Sequence, residues 1–174
     1  MTISVLLETE LGAFTIEVDT DRAPITAANF LAYVDGGHLD NATAYRLVTM
    51  ANQKPETVHK IEVVQWGIRA SDENPAPFAP IPHETTEATG LLHKNMTISM
   101  ARFAPGSAGS EFFICIGDQP QLDFGGMRNP DGQGFAAFGT VTAGQDVVLA
   151  IHAKAAADTE YPETPVRFTS VKRA

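Results

Sequence analysis

TISMARFAPGSAGSEFFICIG, residues 97–117, divides into strand, loop and strand. Ile98 and Met100 alternate with Thr97, Ser99 and Ala101, the period-two pattern of a half-buried strand. Phe103 to Ser110 is rich in Gly, Pro, Ala and Ser and cannot continue it. Glu111 to Ile116 then resumes in Phe and Ile, good strand formers. On that second strand Phe112, Ile114 and Ile116 share one face, and Glu111, Phe113 and Cys115 share the other. The first is the natural core face. The second sets an aromatic beside a carboxylate, which a plain solvent face does not need.

The same alternation extends outward. Residues 2–8 and 13–19, separated by Glu10-Leu11-Gly12, predict a hairpin. Pro24 opens a helix whose Ile25, Ala28, Phe30, Leu31 and Val34 are expected on one face, stopped by Gly36-Gly37. Ala42–Val48 reads as a strand with Tyr45 and Leu47 on one side and Ala44, Arg46 and Val48 on the other. Lys60–Ile68 reads as another. Ile61, Val63, Gln65 and Gly67 face one way and Glu62, Val64 and Trp66 the other; both faces carry large apolar groups, so alternation leaves the inner one open. Residues 70–95 and 119–133 are irregular, and long connections of this kind are often functional. Phe135–Val141 is a strand, Gly144–Lys154 a helix through Val147, Val148 and Ile151, and Pro165–Val171 a last strand.

With 174 residues and 44% hydrophobic content, one compact domain spanning 1–174 is expected. No run of eighteen apolar residues predicts a membrane span. MTISVLLETELG reads as a strand entering a turn rather than a signal peptide, which favours the cytoplasm. The lone Cys115 excludes an internal disulfide framework. A net charge of −9 argues against nucleic acid and acidic membranes as partners.

SMAR, the loop containing PGSAGS and then FFIC resemble the signature segment of the cyclophilin-type peptidyl-prolyl isomerases. The likeness runs from about Ile3 to Val171, through RAPITAANF, AYRLV (44–48), VVQWG (63–67) and GFAAFGTV (134–141). It implies a mainly β fold, a closed eight-stranded antiparallel barrel capped by two helices. It also implies catalysis of rotation about X-Pro bonds in peptides and unfolded chains, assisting folding, by a monomer without cofactor or metal.

Rotation about a peptide bond is opposed by amide resonance, a barrier of about 18–20 kcal/mol. In the twisted state the proline nitrogen regains its lone pair and accepts a hydrogen bond. A catalyst therefore needs an apolar slot for the ring and a fixed donor aimed at that nitrogen, not an acid, base or nucleophile. The resemblance gives the donor role to Arg46, with Gln65 accepting from it and offering its amide to the substrate. It places Phe113, Val63, Met100 and Leu122 around the proline, although Met100 and Leu122 read equally well as core. Ala101 and Arg102 would offer backbone groups to an extended peptide. Glu111, on the face of Phe113, is expected to pair with Arg46 or another cation.

Several positions depart from the family pattern. Glu111 stands where Gln is common, Glu62 where an aromatic is usual, and Trp66 where a Gly usually follows the Gln. Gln121 replaces a Trp and Phe135 a His at the pocket rim. The chain thus resembles the bacterial-like, cyclosporin-insensitive members. Two rivals follow: a proline-peptide-binding or chaperone module of the same fold with weak turnover, and an unrelated barrel with a ligand inside. His83 and Glu84 with His93 match no standard metal-ligand spacing, and Cys115 in a strand reads as packing rather than a nucleophile.

Overall fold

The computed structural model describes residues 1–174. Eight strands run β1 Thr2–Thr9, β2 Gly12–Asp19, β3 Thr43–Val48, β4 Val63–Gly67, β5 Thr97–Met100, β6 Glu111–Cys115, β7 Ala137–Ala143 and β8 Val166–Arg173. All neighbours are antiparallel, and they close into a barrel in the order β1-β2-β7-β5-β6-β4-β3-β8. The helices are α1 Pro24–Asp35, α2 Thr86–Thr89 and α3 Gln145–His152. No helix is long and apolar enough to cross a membrane.

The barrel interior is filled by the inward residues of its strands, as in other small barrels. β6 behaves as its alternation predicts: Phe112 and Ile114 belong to the interior, Phe113 and Cys115 to a separate outer cluster. β4 resolves the open choice, with Val64 and Trp66 inside and Val63 outside. Trp66 is fully buried and stacks on Phe168, ring centroids 4.4 Å apart and 6° from parallel. Phe30 from α1 plugs one end against Trp66, Phe112 and Phe138. This packing leaves the internal-ligand barrel without support.

α1 starts at Pro24 as expected, but its buried residues are Thr26, Ala27, Asn29, Phe30, Leu31, Tyr33 and Val34, whereas Ile25 and Ala28 face solvent. Its N-terminus has no local side-chain cap. Glu84, fifty-eight residues away, supplies one by accepting the Thr26 N–H and the Thr26 hydroxyl, each at 2.6 Å. That is the task of Glu84; His83 Nε2 meets the Gln133 carbonyl at 3.1 Å, and no cluster with metal-ligand geometry forms.

β3 departs from alternation. Thr43 pairs with Gly67, but Arg46 pairs with Gln65, so β3 carries one residue more than β4 over this interval. This is a β-bulge, a device that re-aims side chains. Ala44 and Leu47 both enter the interior, and Tyr45 and Arg46 both emerge on the outer side. Opposite them, Gly67 has φ +126, and a Cβ there would lie 2.3 Å from the Ser110 carbonyl oxygen. Only glycine lets β4 approach β6 this closely.

Candidate active site

A groove of about 420 Å³ runs over the outer face of β3, β4 and β6. Its apolar half is built from Ile61, Val63, Phe113 and Leu122, with Ala101 and Phe135 packed against them. Phe113 is there because β6 alternates; Leu122 is there because a 3-10 turn over Pro120–Leu122 folds it back onto the sheet. Phe135 joins through its N–H, which donates to the Leu122 carbonyl at 2.9 Å, and its ring meets Phe113 edge-on, centroids 5.7 Å apart.

The polar half is one hydrogen-bonded chain. Arg46 Nη2 pairs with Glu160 at 2.6 Å, and Nη1 donates to Gln65 Oε1 at 2.8 Å. Gln65 Nε2 donates to the Tyr45 hydroxyl at 2.8 Å, and that hydroxyl donates to Glu111. Burial, and then the Glu111 carboxylate, push the Tyr45 phenol well above its ordinary value, so it remains a donor. The guanidinium is thus gripped on two sides, while each Nη keeps a second N–H; its Nε–H is buried without a partner.

Beneath Phe113 lies a hydrogen-bonded trio built on the buried His93 and Ser99. The His93 ring stacks on Phe113, centroids 5.9 Å apart and 13° from parallel. Its Nδ1 is 2.7 Å from Asp123 Oδ1 and its Nε2 2.8 Å from Ser99 Oγ. A neutral ring protonated on Nδ1 satisfies both contacts: it donates to Asp123 and accepts from Ser99. Burial lowers the His93 pKa and outweighs the opposing pull of Asp123. Burial also works to raise the Asp123 carboxyl, but hydrogen bonds from the His93 ring and backbone bring it below the usual range. Ser99 and His93 are enclosed and Asp123 is partly exposed, so the His93 ring backs Phe113 from beneath the groove. The Cys115 thiol is raised by burial and then by Asp123 and Asp118, in keeping with a packing residue.

Of the residues expected around a bound proline, Arg46, Gln65, Val63, Phe113, Leu122, Phe135, Ala101, Arg102 and Glu111 all line this groove. Met100 does not: it faces Phe112 across β5–β6 and belongs to the barrel interior, the side its alternation with Ile98 dictates. Gln121 is also absent from the lining; its side-chain oxygen accepts the Met127 N–H at 3.1 Å, within its own loop. Ala101 has already committed its N–H to the Glu111 carbonyl at 3.0 Å. The Arg102 side chain is buried, with bonds to the Gly134 carbonyl and Asp131 and its guanidinium carbon 4.9 Å from the Phe135 ring centroid. It tethers the 131–135 segment that carries Phe135. Glu111 pairs with no cation; the Tyr45 hydroxyl occupies it instead, because the bulge turns Tyr45 outward beside it.

Sequence reasoning missed Tyr45, Ile61, Arg69, Arg128 and Tyr161 in the lining and Glu160 behind Arg46. It also missed that the long 70–95 segment contributes Ala70, Ala76, Phe78 and Pro80 to the wall. Tyr45 was hidden by the bulge. Ile61 lies on the face that alternation gave to Val63 and Gln65; the others come from loops, where no period marks a side chain as facing a site. His93 stands twenty residues before Phe113, and nothing in the local sequence marks the stacking of the two rings.

Residues 4–173 match the family described as cyclophilin type peptidyl-prolyl cis-trans isomerase/CLD. A peptidyl-prolyl cis-trans isomerase of Streptomyces antibioticus is 33% identical over 173 residues, covering 98% of this chain and 96% of its own. Peptidyl-prolyl cis-trans isomerase B of Escherichia coli is 31% identical over 145 residues, 83% of this chain and 80% of its own. Among solved structures, a Cryptosporidium parvum cyclophilin type peptidyl-prolyl cis-trans isomerase, in the presence of the dipeptide Ala-Pro, superposes with a TM-score of 0.77 at 18% identity, covering 98% of each chain.

Proposed function

This chain belongs to the cyclophilin-type peptidyl-prolyl cis-trans isomerase family, and from that premise we propose that it accelerates rotation about X-Pro bonds in peptides and in unfolded or partly folded proteins. The observation that carries the reading is Arg46, held by Gln65 and Glu160 at the edge of the apolar slot built on Phe113. The slot grips the proline ring through Phe113, Val63, Leu122 and Phe135. Arg46 then donates an N–H to the proline nitrogen, which becomes a good acceptor only in the twisted state. Such a contact stabilises the transition state over both planar ground states. Because Arg46 is fixed in advance, little reorganisation is needed at the moment of rotation. The chemistry requires no proton transfer and no covalent intermediate. Gln65 acts by orienting Arg46; its Nε2 is already donating to Tyr45, and a second N–H remains for the substrate backbone.

We further place the protein in the cytoplasm as a single-domain monomer. The pairing of β1 with β8 ties the two ends of the chain into one sheet, and the only cysteine is buried and unpaired, which suits a reducing compartment. Cell fractionation and sedimentation test these two points. The activity itself is tested in a coupled peptide-isomerisation assay with wild type and Arg46→Ala. Wild-type turnover that falls by roughly 10²–10³ in the variant is expected, the scale of losing one preorganised donor. A folded wild type with binding but no turnover would instead support the proline-peptide receptor, for which the altered rim at Glu111 and Phe135 speaks.

A further inference from the structure

The chain has seven arginines. Five form ion pairs: Arg22 with Asp19, Arg46 with Glu160, Arg102 with Asp131, Arg167 with Glu10 and Arg173 with Asp35. The two that form none, Arg69 and Arg128, both line the groove. On a molecule of net charge −9, with 21 acidic residues available, that distribution is the reverse of what surface pairing alone would produce.

Both side chains are held rather than loose. The Arg69 guanidinium lies over two tyrosine rings, 4.9 Å from the Tyr45 centroid and 5.2 Å from that of Tyr161. Aromatic faces of this kind orient a guanidinium while leaving its in-plane N–H groups free, and Arg69 donates no hydrogen bond to the protein. Arg128 is half-buried, with Nη1 donating to Gln53 Oε1 at 2.8 Å and to the His59 carbonyl at 3.0 Å. Those acceptors carry no charge, so they steer the group without neutralising it. Its pKa is lowered by burial and then by the nearby charge of Arg46, against which Glu160 acts. Glu160 is itself already paired with Arg46. Glu111, the one carboxylate in the groove lining, accepts from the uncharged Tyr45 hydroxyl and forms an ion pair with neither arginine.

We propose that Arg69 and Arg128 form an anion subsite of the groove, selecting X-Pro peptides that carry a carboxylate side chain close to the proline. The inference rests on the isomerase reading and narrows its substrate class to acidic proline-containing segments. A substrate carboxylate would accept a charge-assisted hydrogen bond from a guanidinium that is pre-oriented and lacks an anion of its own. Arg46 remains dedicated to the proline nitrogen.

The test is a set of matched proline peptides with Ala, Glu or Lys on either side of the X-Pro unit, compared by kcat/KM. Turnover of the Ala peptide reports the isomerase reading alone; the Glu-to-Lys ratio reports the subsite. Wild type should favour the better-placed Glu peptide over its Lys counterpart at least about fivefold. The ratio should fall towards one in Arg69→Gln/Arg128→Gln and be retained in large part with Lys at both positions. In wild type itself, raising the ionic strength should shrink the ratio, a readout that needs no variant. A ratio of one in wild type, or a preference that survives in the folded double Gln variant, overturns the subsite. If the Ala peptide is not turned over, the same peptides are titrated calorimetrically, and the Glu-to-Lys ratio of affinities decides by the same criteria.

Discussion

Arg46 carries two loads that a single substitution separates. It offers the donor, and it neutralises Glu160, an ion pair whose two side chains are each 22% exposed. Arg46→Ala should therefore cost activity heavily and stability by about 1–2 kcal/mol, because it leaves Glu160 and the buried Gln65 oxygen without a partner. Gln121 makes the opposite case, of a side chain whose importance lies in what it is not. In cyclosporin-sensitive relatives a Trp at this position packs on the drug, and such aromatic anchors often carry about 2 kcal/mol or more. Gln121 instead accepts from the Met127 N–H inside its own loop. Binding of cyclosporin should be at least about ten-fold weaker than in Trp-bearing relatives, and Gln121→Trp should recover part of it. Calorimetric titration of both proteins decides; equal affinity of wild type and Trp-bearing relatives, or no gain in a folded Gln121→Trp, would refute it. At this scale Arg46, Gln65 and Phe113 could be named from sequence because AYRLV, VVQWG and FFIC are contiguous stretches. Glu160 could not: it approaches Arg46 from 114 residues away, and no local pattern announces such a partner.

Among the elements, β3 decides most about the site. A regular strand would have put Tyr45 and Arg46 on opposite faces. The extra residue opposite Trp66 brings both to the groove, and the Tyr45 hydroxyl then links Gln65 to Glu111. Tyr45→Phe keeps the ring under Arg69 and deletes only that link. Gln65 loses the acceptor that holds its amide, and so holds Arg46 less firmly. Turnover should drop by roughly 3- to 30-fold, with a loss of stability of about 1–2 kcal/mol from the orphaned partners. The measurements are the peptide assay and urea unfolding, and an unchanged kcat/KM would show that the link does not position Arg46. Where a strand alternates without interruption, as β6 does, the sequence tells which face each side chain takes, although the strand ends at Cys115 rather than Ile116. The bulge was not, because its signature is a pairing register and a strand read alone has no register. Met100 failed differently: alternation put it inside with Ile98, and the family likeness drew it towards the groove; the alternation was right.

The barrel as a whole is a closed sheet whose sequence neighbours are not always spatial ones: β7 lies between β2 and β5, and β8 between β1 and β3. Eight alternating segments imply strands, and the family likeness implies that they close into an antiparallel barrel, but neither gives this cyclic order. Closure makes stability a property of the whole, and one buried group couples it to pH. His93 is 1% exposed, neutral, and bonded on both ring nitrogens, with its pKa held down by burial. In the unfolded chain the same imidazole titrates near its ordinary value of about 6.5. As pH falls through that value the unfolded state takes up a proton that the native state refuses, so stability drops with acid until the lower native pKa is reached. Asp123 acts in a later window. Its native pKa lies below the ordinary carboxylate value, so its contribution is present above that value and is lost as pH falls through the native one. Urea unfolding at about pH 7.5 and about pH 5.5 isolates the first window. Wild type should be less stable at the lower pH. His93→Phe can still stack on Phe113 but cannot titrate; it should be less stable at both pH values, because Asp123 and Ser99 lose a partner. Its difference between the two conditions should nevertheless be smaller. An equal difference in the two folded proteins would mean that the acid sensitivity arises elsewhere and that His93 is not the group coupling the barrel to pH.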